Sequence, residues 1–64
     1  MARPLDDKRR GAILLAAKKL FAERGFAATS IADIKEAAGF PVGSIYTYFT
    51  NKEALIRTII EEGW

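Results

Sequence analysis

Sixty-four residues, half of them hydrophobic, with a net charge of +2, describe one domain near the smallest size at which a single core holds a fold, with little room for a buried pocket. The chain has no histidine and no cysteine, which excludes imidazole catalysis, thiolate nucleophiles, disulfides and the usual transition-metal ligand sets. No apolar run approaches the roughly 20 residues of a membrane span, and "MARPLDDKRR" holds no hydrophobic leader, so a soluble, cytoplasmic protein without metal or cofactor is expected.

Arg3, Lys8, Arg9 and Arg10 crowd the start of the chain and Lys18 and Lys19 follow. Taken alone, this pattern fits a solvated mixed surface as well as a polyanionic partner. From Asp6 to Arg24, Ile13, Leu14, Ala17, Leu20 and Phe21 recur at helical spacing and predict an amphipathic helix over about 6–24, with Gly25 suited to the left-handed residue that ends it. Phe26 is placed to fold back onto the last turn.

A second helix is predicted over about 30–38. Thr29 or Ser30 offers the capping hydroxyl, Ile31, Ile34 and Ala38 form the inner stripe, and Gly39 stops it. The stem of Lys35 is expected along the core edge with its ammonium in water. A third helix follows over about 41–49. Pro41 suits its first position, and Val42, Ile45 and Phe49 line its inner side. Gly43, Ser44, Thr47 and Tyr48 then point outward, with Tyr46 at the border. The fourth helix, over about 52–62, is capped by Asn51 in preference to a Thr50–Glu53 capping box. Leu55, Ile56, Ile59 and Ile60 spread over a wide arc. Glu61 and Glu62 stand where a helix end favours cations, which suggests that the helix runs on past Trp64 in the front piece of a longer protein, with Gly63 as a stop the alternative.

The second and third helices joined by "AAGFPVG" make a helix-turn-helix candidate: small Ala38 at the close approach, Gly39 at the turn, Phe40 as its plug and Ile45 as anchor. Such a turn is also an ordinary packing corner. The surface separates the two readings. From Phe40 to Asn51 there is no charged residue, as suits a helix whose outward face meets base edges, where bulk obstructs and acid repels. Gly43 and Ser44 remove bulk near its start. Tyr46, Thr47 and Tyr48 offer hydroxyls and apolar faces, Lys52 a cation for a phosphate, and the capped helix starts at Thr29 and Asn51 further N–H donors.

"TSIADIKEAAGFPVGSIYTYFTNKEAL", preceded by "LFAERGFAATS", resembles the N-terminal segment of the tetracycline-repressor-like (TetR/AcrR) transcription regulators from about Ile13 to Leu55. The resemblance implies an all-α fold, a three-helix helix-turn-helix bundle plus the start of a fourth, connecting helix. It also implies a missing C-terminal domain that dimerises and binds a small-molecule effector. The expected partner is double-stranded DNA, read in the major groove of a palindromic operator by a homodimer, with this piece alone monomeric. Carried over by position, Thr29, Ser30, Ser44, Tyr48 and Lys52 would reach phosphates, and Val42, Gly43, Tyr46 and Thr47 would lie at base edges. Lys35, Pro41 and Val42 depart from the family pattern, and Val42 suggests a methyl contact with thymine where a cation is frequent.

The competing reading is a helical protein-interaction module that uses the tyrosine face and the wide apolar stripe of the fourth helix. An enzyme is the weakest option. Asp33 and Glu36 are spaced to face each other, but with no pocket or partner they read as a solvated face.

Overall fold

The computed structural model describes residues 7–62, and among them it has four helices and no strand: α1 (Asp7–Arg24), α2 (Ile31–Ala38), α3 (Val42–Tyr48) and α4 (Lys52–Glu61). Asp6, Gly63 and Trp64, and with them the expected continuation of α4, lie outside the described residues. The core follows from the helical period. Ile13, Ala16, Ala17, Leu20 and Phe21 repeat at three- and four-residue steps along α1 and are all buried, forming the floor on which the other helices rest. Ala16, outside the expected stripe, is buried, whereas Leu14, expected within it, is only half-buried. Ile34 from α2, Ile45 from α3, Phe49 just beyond it, and Leu55 and Ile59 from α4 close the core. Ile31, Ala38 and Ile56 pack at its edge, whereas Ile60 is 66% exposed.

The corners are built by hydrogen bonds that the sequence largely spells out. Gly25 takes φ 90° and Gly39 φ 80°, a left-handed backbone open to glycine at no steric cost. Their N–H groups donate to the carbonyls of Phe21 and Lys35, both at 2.9 Å. Phe26 does fold back, its ring 5.3 Å from that of Phe21. Ser30, rather than Thr29, caps α2. Its Oγ accepts from the Asp33 N–H at 3.1 Å while its own N–H donates to Asp33 Oδ2 at 3.0 Å, a reciprocal capping box.

Asp33 is therefore a capping residue and not half of a carboxylate pair with Glu36. Arg24 Nη1 stands 3.2 Å from the same carboxylate. The Ser30 N–H first, then its hydroxyl, and then Arg24 hold the Asp33 carboxyl below its ordinary value of 3.8.

Pro41 sits one place earlier than expected. With φ −62° and ψ 154° it is extended and forms the N-cap of α3, without a side-chain cap bond. Only its carbonyl takes part, accepting from Ser44 at 3.0 Å and Ile45 at 3.4 Å. Asn51 caps α4, its Oδ1 accepting from the Ala54 N–H at 2.8 Å. At the other end of α4, Glu62 meets Arg10 of α1 across 2.6 Å. That hydrogen bond holds the Glu62 carboxyl below its ordinary 4.5. The Arg10 guanidinium carbon also lies 5.8 Å from the Phe49 ring centroid, so one side chain ties together α1, the end of α3 and the end of α4.

Candidate nucleic-acid interface

Helix α3 is held by a single fully buried side chain of its own, Ile45, with Phe49 buried just past its end. Every other residue on it is exposed or half-buried. Gly43 and Thr47 are exposed, Ser44 is half-buried, and Val42 and Tyr46 are 44% and 51% exposed. A Cβ added at Gly43 would meet nothing within 4 Å. The protein's own packing therefore does not ask for glycine there, although glycine weakens a helix by about 1 kcal/mol relative to alanine. Gly11 in α1 is equally unconfined, so an open glycine alone is no signal. At Gly43 it coincides with an uncharged, outward surface formed by Val42, Tyr46 and Thr47. Thr47 Oγ1 donates to the Gly43 carbonyl at 2.9 Å. That leaves its oxygen as an acceptor and its methyl as an apolar contact, a pairing suited to base edges rather than to a phosphate oxygen.

The two tyrosines exchange their expected places. Tyr48 is half-buried and packs against the core, its ring 6.4 Å from that of Phe49, while Tyr46 is the outward one. The inner stripe had been drawn through Val42, which is in fact exposed. With Ile45 alone setting the inward direction, Tyr48 lies about 60° from it and Tyr46 about 100°, at 3.6 residues per turn.

Among the flanking residues, Thr29 does not fit its expected role. It is 1% exposed. Its hydroxyl is turned inward to the Gly25 carbonyl at 2.9 Å and the Leu20 carbonyl at 3.3 Å, and its N–H donates to Phe26. A buried hydroxyl so engaged is a corner lock, with no donor left for a phosphate. Ser30 is exposed at the start of α2. Lys52 is half-buried; its ammonium donates to the Phe26 carbonyl at 2.8 Å and sits 4.3 Å from that ring's centroid. It thus clasps α4 to the corner between α1 and α2, with two N–H donors beyond that bond.

A contact at the head of α1 was not foreseen either. The guanidinium carbon of Arg9 lies 5.5 Å from the ring centroid of Phe40, beside the start of α3. The crowd of basic residues at the head of the chain was visible, but nothing local says that α1 begins next to the turn.

A family model described as bacterial regulatory proteins, tetR family, matches residues 13–59. The chain belongs to the TetR family. The uncharacterized HTH-type transcriptional regulator YfiR of Bacillus subtilis is 46% identical over 57 residues, which is 89% of this chain and 28% of that protein. The HTH-type transcriptional repressor ComR of Escherichia coli is 46% identical over 52 residues, 81% of this chain and 25% of that protein. Among solved structures, the crystal structure of a HlyIIR mutant protein superposes with a TM-score of 0.84 at 38% identity, over 88% of this chain and 32% of that one. This TetR-family chain thus spans between a quarter and a third of the length of these relatives. The all-α fold of the described residues, four helices with no strand among them, is the one that the family resemblance implied.

Proposed function

We propose that this chain is the sequence-specific DNA-binding head of a ligand-responsive transcriptional regulator, a repressor that binds a palindromic operator as a homodimer in the cytoplasm. The observation that carries this reading is α3: a short, solvent-facing helix with no charge, whose glycine answers no need of the fold. Laid in the major groove, Gly43 lets the backbone approach, Val42 meets a thymine methyl, and Tyr46 and Thr47 reach base edges. Ser44 and Tyr48, on the flank nearer the body of the domain, face one phosphate strand, and Ser30 and Lys52 another stretch of backbone. Thr29 acts behind Ser30 by fixing the corner from which α2 starts. Dimerisation and effector binding fall to a C-terminal domain of the kind that the family resemblance implies, and the head performs no catalysis and needs no cofactor.

The deciding experiment is a titration with duplex DNA at two salt concentrations. Binding through several phosphates weakens steeply as salt rises. Gly43→Glu should abolish binding without lowering the thermal unfolding midpoint, since the new side chain meets only solvent in the free domain. Retained affinity in that variant would remove α3 from the interface. The competing reading, a protein-docking module, draws on the exposed Ile60 of α4 and predicts an affinity for its partner that barely responds to salt.

A further inference from the structure

The uncharged stretch around α3 leaves open where the electrostatic grip on a duplex comes from on the side of the turn. Base-reading helices owe most of their affinity to cations placed beside them. Two arginines of the domain are already neutralised by carboxylates. Arg10 is paired with Glu62 at 2.6 Å and Arg24 with Asp33 at 3.2 Å, while Lys52, bonded to the Phe26 carbonyl at 2.8 Å, keeps its charge and two N–H donors for the backbone on the α4 side. A guanidinium neutralised by a carboxylate has little attraction left for a phosphate.

Arg9 differs. It is exposed and joins no ion pair among the described residues. What places it is an aromatic ring, Phe40, 5.5 Å from its guanidinium carbon. Phe40 is itself half-buried and packed against the core, so the platform does not move with the side chain that rests on it. It stands directly before Pro41, the N-cap of α3. A ring holds a guanidinium through its charge without cancelling that charge, and leaves N–H donors for an oxyanion. It also removes part of the rotamer freedom that a loose arginine would lose on binding.

We infer that Arg9 is a phosphate-binding residue of the duplex interface, pre-positioned by Phe40 at the turn between α2 and α3. This rests on the duplex-binding reading above and extends the interface to α1.

The test measures binding of random-sequence duplex DNA across a salt series, because a phosphate contact is indifferent to sequence. Arg9→Gln should weaken binding about three- to tenfold at low salt and reduce the slope of log affinity against log salt by about 0.9, with an unchanged melting temperature. Arg9→Lys should keep the slope and recover part of the affinity. Phe40→Leu, which fills the turn without a ring, should give a smaller loss, and Arg9→Gln should lose less in that background than in the wild type, the mark of coupled residues. Wild-type slope and affinity in Arg9→Gln would overturn the assignment and leave duplex binding standing. A loss of affinity with an unchanged slope and a lowered melting temperature would make Arg9 a structural residue and also overturn it. A wild-type protein without salt-dependent duplex binding would remove the interface itself, and Arg9 with it.

Discussion

Helices α2 and α3 are nearly equal in length, eight and seven residues, but they are held in opposite ways. Helix α2 is specified by its own ends: a Ser30–Asp33 capping box at one and left-handed Gly39 at the other, with Ile34 buried between them. Helix α3 has no side-chain cap, carries a glycine inside it, and is kept in place by Ile45 and Phe49 gripping the core from its middle and end. A helix fixed by distant anchors has its remaining positions free of structural duty. Such positions can be chosen for an outside partner, so the helix with the weakest local signals is the one with the most to say about function.

Substitutions at these positions put the contrast to the test. The largest effect is expected from Ile45→Ala, which should lower stability by about 2–5 kcal/mol in a chemical denaturation experiment, as a fully buried isoleucine replaced by alanine does. Ile34→Ala, equally buried, should cost about the same, but α2 should retain more residual helix in mildly destabilising conditions because its caps survive. Equal loss of amide protection in both helices of both variants would erase the distinction.

Gly39→Ala comes next, with a loss of about 1–2 kcal/mol from forcing an L side chain into the left-handed region. Ser30→Ala should cost about 1 kcal/mol, whereas Pro41→Ala, with no side-chain cap to lose, should change the midpoint far less.

Gly43→Ala is the sharpest test because its two readouts are expected to move in opposite directions. Stability should rise by about 0.5–1 kcal/mol, since the added methyl meets open space, while duplex affinity should fall. A variant that gains stability and binds as well as the wild type would mean that no close approach occurs at Gly43.

The smallest effect concerns pH. Asp33 and Glu62 have folded-state values below their ordinary 3.8 and 4.5. Their contributions are therefore present above those values and fade as pH falls through the lowered folded ones. Asp33→Asn should lower stability slightly near neutrality, where the wild-type carboxylate contributes, and flatten the acid limb below about 4, where the wild type loses the same contribution. An acid limb identical to that of the wild type would show that the capping carboxylate does not contribute to it.

Much of this molecule was readable before any coordinates. Gly25 and Gly39 mark helix ends by a property of glycine itself. Ser30, one of two candidates beside Thr29, and Asn51 cap their helices through a hydroxyl and a carboxamide a few atoms from the groups they satisfy. The absence of histidine and cysteine removed whole classes of chemistry, and the run through the turn carried the family. All of these depend on neighbours within about four residues, where spacing along the chain is close to distance in space.

The remainder arose from contacts between residues far apart in the chain. A seven-residue helix makes barely two turns, so its rotation is left open by periodicity and is settled by where the core lies. This is why Val42 and Tyr46 turned outward and Tyr48 inward. The same cause hid Thr29, whose inward hydroxyl depends on the backbone carbonyls of another helix end. It also hid the meetings of Arg10 with Glu62, Lys52 with Phe26 and Arg9 with Phe40. Each joins side chains that only the packing of α2, α3 and α4 around α1 brings within reach.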